Sequence, residues 1–579
     1  MPVQQDLSGA KVAYFTMEVA LDARIPTYAG GLGVLAGDFL MSAADLGLPL
    51  VAVSLAYRKG YFHQVIGTDG GQQEEPVDWE RSELLERLAT TIVVKVAGSP
   101  VTVGAWRYLV SGAGGGTVPV LFLDTDLPAN EGRWRDITDQ LYGGDDEHRL
   151  CQEAVLGLAG VEMLRALGYP AEGRYHMNEG HSSLLTLGLL EDEADSSPAP
   201  APAAGDIEAV RARCAFTTHT PVPAGHDRFA AELVLGVLGE ERARLLADLG
   251  LLSDGTLNMT TLGVKLSGYV NAVARKHRDV TRSMLPGTDV TSVTNGVHHV
   301  RWASAPIREV FDEHIPGWRS DASMLRYASS IPLAPIADAH AAAKRDLCNT
   351  VKSLVGADLH DDGLTIGLAR RVTPYKRTLL LFSDLERLVA IAERHGPLQV
   401  VVSGKAHPRD AIGRQTIARL LATAKLLPSS VRVVFLENYD LALAALLCAG
   451  CDVWLNTPQA PLEASGTSGM KAAINGVPSL SILDGWWLEG WVEGVTGWSI
   501  GAEETASDAS APPEVLEERS RVDAARLYEK LQGVVAPLYY GNRTGFFEVA
   551  RGAIALNGSF FSTERMAREY AQAAYGLRV

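Results

Sequence analysis

Cysteine is scarce, with five in 579 residues. Cys151, Cys214 and Cys348 are scattered, and Cys448-Ala-Gly-Cys451 has neither a second pair nor a neighbouring histidine. That leaves no disulfide framework and no zinc site, and the thiols read as reduced core residues. Long apolar runs are missing too. The longest candidate, 441–451, is shut between Asp440 and Asp452 and falls well short of the roughly 18 residues a membrane-spanning helix needs. Residues 1–6 carry no basic charge and no apolar stretch follows, so they do not read as a signal peptide. A cytoplasmic protein without a membrane partner is expected. Positive charge is in deficit: 52 Lys and Arg against 69 Asp and Glu give a net charge of -17, which repels nucleic acid and anionic lipid. An anionic ligand must then be met in a local cationic pocket.

Common catalytic signatures are absent or incomplete. There is no Walker A and no His-Glu-x-x-His motif, and no metal site is expected. Gly31-Leu-Gly33-Val-Leu-Ala36 fits a loose dinucleotide fingerprint, yet the next strand ends in Ala-Tyr-Arg where a ribose needs an acid. Gly497-Trp-Ser499-Ile-Gly501 spells a nucleophile elbow, but the Gly-Ala-Glu-Glu-Thr after it suits no strand-to-helix turn. Acidic residues abound, so spacing alone leaves a glycosidase-type carboxylate pair open.

What is present is a chain with 47% hydrophobic residues, enough for a large core in two or more domains. Residues 191–206, an acidic run followed by Ser, Pro and Ala, read as a surface loop inside a domain. Elsewhere β-rich runs alternate with amphipathic stretches, at 11–15, 50–55, 90–96, 118–124, 215–218 and 289–294, then at 364–369, 398–403, 431–437, 453–456 and 479–483. This alternation argues for an α/β protein with parallel, helix-covered sheets. A mostly helical stretch from about 302 to 363 separates two doubly wound, Rossmann-like domains, 1–300 and 301–579, that face a cleft. Residues 563–575 read as a final amphipathic helix.

Two segments carry chemistry. Arg370-Arg371-Val-Thr-Pro-Tyr375-Lys376-Arg377 puts four cations in eight residues after an apolar strand. Alone it fits either a solvated helix start or an anion site, and its place at a strand's carboxyl end favours the anion. Glu463-Ala-Ser465-Gly466-Thr467-Ser468-Gly469-Met-Lys471 supplies small residues with free N–H groups at a helix mouth, where a phosphate fits. Lys471 sits in the first turn of that helix, an environment that lowers an amine's pKa and suits a Schiff base; an ordinary surface lysine is the bland alternative. Tyr28-Ala-Gly30-Gly31-Leu32-Gly33 allows close backbone approach to a ligand and is weak alone.

Taken together, these residues resemble the α-glucan phosphorylases, the pyridoxal-phosphate enzymes of glycogen, starch and maltodextrin breakdown. Glu-Ala-Ser-Gly-Thr-x-x-Met-Lys at 463–471 resembles the family's cofactor segment most specifically. Arg371-x-x-x-Tyr375-Lys376-Arg377, Phe435-Leu-Glu-Asn-Tyr439, Thr218-His-Thr220, Val270-Asn-x-Val-Ala-Arg-x-His277, Thr294-Asn-Gly-Val297 and Ala29-Gly-Gly-Leu-Gly33 resemble further blocks in the right order. The likeness runs from about residue 10 to about residue 500, and its short bacterial branch is nearest.

The resemblance implies that Lys471 binds pyridoxal 5'-phosphate as an imine, with Arg370, Gly466, Thr467 and Ser468 around its phosphate and Tyr375 and Tyr439 bordering the pocket. It implies that Arg371, Lys376 and the backbone at Gly30, Gly31 and Leu32 hold inorganic phosphate or the phosphate of glucose 1-phosphate. Glu463, the backbone of Ser465 and Gly466, and Asn295 would grip glucosyl hydroxyls, and the main chain at His219 would face the anomeric carbon. The fold implied is the two-Rossmann glycosyltransferase type B, with the last helix returning to the first domain. Substrates would be α-glucan or maltooligosaccharide, and a homodimer is implied.

Some residues depart from the family pattern. Thr373-Pro374 stands in place of a His-Glu pair, Gly469 in place of Asn, and Asn178-Glu179-Gly180-His181 in place of Asn-Asp-x-His. No counterpart of the long N-terminal regulatory extension is found, so no nucleotide or phosphorylation switch is expected. Trp486, Trp487, Trp491 and Trp498 suit either sugar stacking or an aromatic core. Two rival functions are a nucleotide-sugar glycosyltransferase of the same fold, which has no use for Lys471, and a non-catalytic glucan-binding homologue.

Overall fold

The computed structural model describes residues 7–195, 202–221, 225–252, 254–501 and 511–578. The apolar runs of the first half form β1 (Val12–Phe15) and β2 (Leu50–Leu55), buried throughout. Next come a separate antiparallel ribbon of β3 (His63–Ile66) and β4 (Gln72–Glu75), and then β5 (Glu86–Val96), β6 (Ser99–Ser111) and β7 (Thr117–Asp124). β8 (Arg174–Asn178) and β9 (Cys214–Thr217) follow; β10 (Arg228–Ala230) and β11 (Thr256–Asn258) pair apart from them, and β12 (Tyr269–Ala272) and β13 (Val290–Ser292) finish the half.

Nine of these strands make one sheet in the order β13-β12-β9-β8-β1-β2-β7-β6-β5. It is parallel from β13 to β7, but β6 runs antiparallel to both neighbours. The expectation of parallel pairing fails at this edge for a local reason. Ala97 and Gly98, at φ +46° and +77°, make a two-residue turn, which joins antiparallel strands, whereas a parallel pair needs a long crossover.

The second sheet matches expectation closely, with β14 (Leu364–Ala369), β15 (Leu398–Ser403), β16 (Val431–Leu436), β17 (Val453–Asn456), β18 (Ser479–Ile482) and an additional β19 (Gly497–Ile500). All pairs are parallel and the spatial order β16-β15-β14-β17-β18-β19 is the doubly wound 3-2-1-4-5-6 arrangement. The Gly-Trp-Ser-Ile-Gly spelling therefore lies in an edge strand and not at a strand-to-helix turn. Ligands of such a sheet bind where the strand order reverses, here between the carboxyl ends of β14 and β17.

Between the sheets the chain is helical, with Ala305–His314 and Leu333–Val355. The last helix, Thr563–Ala573, returns to the first sheet. Its Met566, Ala567 and Tyr570 pack with Phe39, Leu40 and Ala43 of the helix Gly31–Asp45, and the Tyr570 hydroxyl accepts the Asn271 amide N–H at 3.0 Å. The expected loop at 191–206 is shorter than the sequence suggests. Helices Leu185–Asp195 and Ala204–Arg213 reach in from both sides, anchored by buried Leu189, Leu190 and Val210, while residues 196–201 lie outside the described residues.

Candidate active site

A cavity of about 1100 Å³ opens where the carboxyl ends of strands from both sheets meet, and every site residue expected from the sequence lines it. At the end of β14, Arg370 is 8% exposed. Its Nη2 donates to the Leu455 carbonyl at 2.7 Å and to Asn456 Oδ1 at 2.8 Å, whereas its Nε and Nη1 are buried with no partner among the described residues. Burial lowers its pKa to about 10. A desolvated guanidinium edge without a counter-charge is costly, so this edge is a socket for an anion. Arg371 reaches across to the first half, where a Cβ on Gly30 would meet its Nη2 at 3.2 Å. Lys376 ends a short turn begun by Pro374, forms an ion pair with Glu463, and lies 4.8 Å from the Tyr375 ring centroid.

Beyond β17 the chain makes a tight loop before the helix Ser468–Ile474. Gly466 takes φ +74°, a left-handed conformation that favours glycine. No hydrogen bond engages the N–H groups of Gly466, Thr467 or Ser468 among the described residues. Lys471 points inward from this helix, 6% exposed, with its ammonium 4.1 Å from the Trp302 ring centroid and no hydrogen bond to a described residue. Burial holds its pKa below the usual lysine range, partly offset by Asp38 and Cys448. Trp302 is fixed in turn, since its Nε1 donates to Asp38 Oδ2 at 2.6 Å and Arg301 pairs with the other Asp38 oxygen at 3.0 Å. At Gly469 a Cβ would lie 2.7 Å from Trp486 Cζ2 and 2.9 Å from Ser479 Oγ, which accounts for a glycine there.

The first half supplies the opposite wall. Helix Gly31–Asp45 begins without a side-chain cap, and no described group engages the Gly31 and Leu32 N–H groups. The N–H of Gly30 is already bonded: Glu18 Oε2 accepts it at 3.1 Å and accepts the Ala29 N–H at 2.6 Å. Gly30 thus contributes by lacking a side chain under Arg371. After β9, the His219 N–H donates to Glu179 Oε2 at 2.7 Å and its Nε2 bonds Asn178 Oδ1 at 2.7 Å. Burial lowers the pKa of this imidazole, so it is neutral near pH 7 and the main chain is the polar group it offers. Glu179 sits at φ +83° and is pushed by burial up to about 7. Asn295 is 4% exposed, and its Oδ1 has no partner among the described residues. Burial raises the Tyr439 phenol.

The motifs do not reveal several cavity residues: Glu18, Tyr61, Tyr142, Arg149, Lys405 and Asp484. Glu18, Lys405 and Asp484 follow β1, β15 and β18, and the rule that ligands bind at strand carboxyl ends would have marked all three. Lys405 donates to the Phe62 carbonyl at 2.9 Å, and burial lowers its pKa to about 8. Of the four tryptophans singled out, Trp486 lines the cavity, Trp487 and Trp498 are core residues, and Trp491 is 36% exposed. All five cysteines are buried free thiols.

Comparison with known proteins adds an independent finding. The model of a family described as carbohydrate phosphorylase matches residues 21–105 and 226–493. A maltodextrin phosphorylase of Thermococcus litoralis is 37% identical over 603 residues, covering 97% of this chain and 70% of that protein. A glycogen phosphorylase of Mycobacterium tuberculosis is 36% identical with 97% and 70% covered, and one of Aquifex aeolicus is 33% identical with 99% and 87% covered.

Proposed function

The chain belongs to the carbohydrate phosphorylase family, and from that premise we propose that it is an α-glucan phosphorylase. It cleaves the non-reducing end of an α-1,4-glucan or maltooligosaccharide with inorganic phosphate, reversibly and with retention, giving glucose 1-phosphate. The observation that carries this reading is the half-satisfied Arg370 guanidinium beside a buried amine, Lys471, in one cavity with Arg371 and Lys376.

The residues fit pyridoxal 5'-phosphate, the group the family implies. Lys471 would hold it covalently, the free edge of Arg370 and the N–H groups of Gly466, Thr467 and Ser468 would hold its phosphate, and Tyr375 and Tyr439 would flank it. The chemistry this group supplies is a phosphate that can keep and return a proton beside the substrate phosphate.

The remaining work falls to the chain. Lys376 and Arg371, with the Gly31 and Leu32 N–H groups, draw a phosphate dianion to the anomeric carbon and offset its repulsion from the second phosphate. Glu463, the backbone of Ser465 and Gly466, and the unpartnered Asn295 Oδ1 hold glucosyl hydroxyls. The His219 main chain, kept in place by Asn178 and Glu179, turns toward the positive charge that develops as the glycosidic bond breaks. Aromatic walls from Tyr61, Tyr142 and Trp486 limit water near that charge. Residues 1–300 act as the glucan-side domain and 301–579 as the cofactor-side domain. A homodimer and a cytoplasmic location complete this reading on family likeness.

The test is incubation with maltodextrin and inorganic phosphate while glucose 1-phosphate is measured. Phosphate-dependent release is expected. Transfer that needs a nucleotide sugar instead, or glucan binding without release, would overturn the proposal.

A further inference from the structure

Asp484 follows β18 on the floor of the cavity and is 3% exposed. Its Oδ2 accepts the Glu463 N–H at 2.8 Å and its Oδ1 accepts the Gly485 N–H at 2.9 Å. The next turn is stitched to the same loop, with the Trp486 N–H donating to the Ser465 carbonyl at 2.9 Å. Gly485 takes φ +55° so close to that loop that a Cβ would lie 2.3 Å from the Ser465 oxygen. The segment carrying Glu463, Ser465 and Gly466 is therefore hung on Asp484. Two carboxylates, Asp484 and Glu463, share one neighbouring cation, Lys376, and that cation is paired to Glu463. The other groups bonded to Asp484, the backbones of Ile482, Gly485 and Trp487, are uncharged.

We infer that Asp484 is a positioning residue whose carboxyl group takes up a proton from solvent when a tetrahedral dianion occupies Lys376. The location of that dianion rests on the phosphorolysis reading. A dianion that engages Lys376 diverts the charge that compensates Glu463 and brings two more negative charges to a pair of carboxylates. Like charges disfavour ionisation, and the more buried carboxyl group gives way first. Burial already holds Asp484 up to about 7 against the lowering effect of the Glu463 and Gly485 N–H bonds, with the Glu463 carboxylate adding to the rise, so Asp484 is the acceptor of the proton. Once protonated, it keeps an oxygen for the Glu463 N–H, and the loop stays in place. Uptake requires an ionised starting state, so it grows as pH rises above neutrality. Over that range affinity for the dianion falls by up to about tenfold per pH unit.

Sulfate, a tetrahedral dianion that does not titrate near neutrality, isolates the effect. Calorimetric titration at about pH 7.5 in two buffers of different ionisation heat should show uptake of up to roughly one proton per sulfate by the wild-type protein. Asp484→Asn, which keeps an oxygen for the Glu463 N–H, should show none, and its sulfate affinity should be flat across neutral pH. Wild-type binding without proton uptake, no wild-type binding, or equal uptake by both proteins would each overturn the inference, and the wild-type arm does so even if the variant misfolds. Glucose 1-phosphate release is read separately. A protein that releases it without proton-linked anion binding loses this inference and keeps phosphorolysis; one that shows the linkage without release loses phosphorolysis alone.

Discussion

Lys376 and Glu463 are ion-paired in the wall of the cavity, each side chain 14% exposed. One is the expected phosphate ligand and the other the expected glucosyl ligand, so the pair links the two expected subsites. Pairing keeps both charges compensated in a partly dry site, which neither could tolerate alone.

Removing the cation should therefore fall hardest on phosphate. Lys376→Ala is expected to raise KM for phosphate about 10- to 100-fold, the worth of a charge-assisted hydrogen bond of roughly 1.5–3 kcal/mol. KM for maltodextrin should move much less. Steady-state kinetics with each substrate varied in turn checks this, and equal losses would count against the role of Lys376.

Arg370→Gln removes the free guanidinium edge but leaves side-chain volume. Cofactor affinity should drop by about 10- to 100-fold, with activity recovered at high added pyridoxal phosphate. Titration of the apoenzyme reads this directly, and unchanged affinity would mean that the free edge serves something else.

Asp452 sits under the second sheet, fully buried, where Oδ1 meets His340 Nε2 at 2.9 Å and Oδ2 meets Lys344 Nζ at 2.6 Å and the Thr365 N–H at 2.7 Å. Asp452→Asn strands the Lys344 charge and should cost about 3–5 kcal/mol of stability. A fall in the denaturant midpoint at unchanged slope would show it, and a shift below about 1 kcal/mol would contradict it.

Glu179 gives a pH signature. Burial raises its folded pKa from the ordinary 4.5 to about 7, so the protonated form favours folding. Its contribution to stability is complete below about 4.5 and is lost as pH rises through about 7. Glu179→Gln carries no such titration. Relative to wild type it should gain stability on going from about pH 5 to about pH 8. Midpoints measured at both pH values test the sign, and a relative loss would show that hydrogen bonds from His219, Gly180 and Thr220 outweigh burial.

Much of the second sheet was legible because parallel strands buried on both faces read as unbroken apolar runs, and 364–369, 398–403 and 453–456 match β14, β15 and β17 to the residue. β8 and β12 were hidden by their polar members. His176, Asn178 and Asn271 look like loop residues until Thr16, Thr217, Tyr570 and Tyr575 are seen to satisfy them, and those partners lie on distant segments. β19 was masked by its glycine and short length. The site divides the same way. Arg370 to Lys376 and Glu463 to Lys471 are contiguous and announce themselves by charge density and small residues. Glu18, Lys405 and Asp484 are single residues after strands, visible only once strand order brings their ends together.

Lys471 bears the heaviest share of the account, as a buried amine beside Trp302 with no hydrogen bond among the described residues. Borohydride reduction of the protein loaded with pyridoxal phosphate, followed by denaturation and peptide mapping, tests it most directly. A stable pyridoxyl group on Lys471, and a Lys471→Ala variant that neither takes the label nor releases glucose 1-phosphate, are the expected results. A fully active enzyme whose Lys471 stays unlabelled would contradict the account.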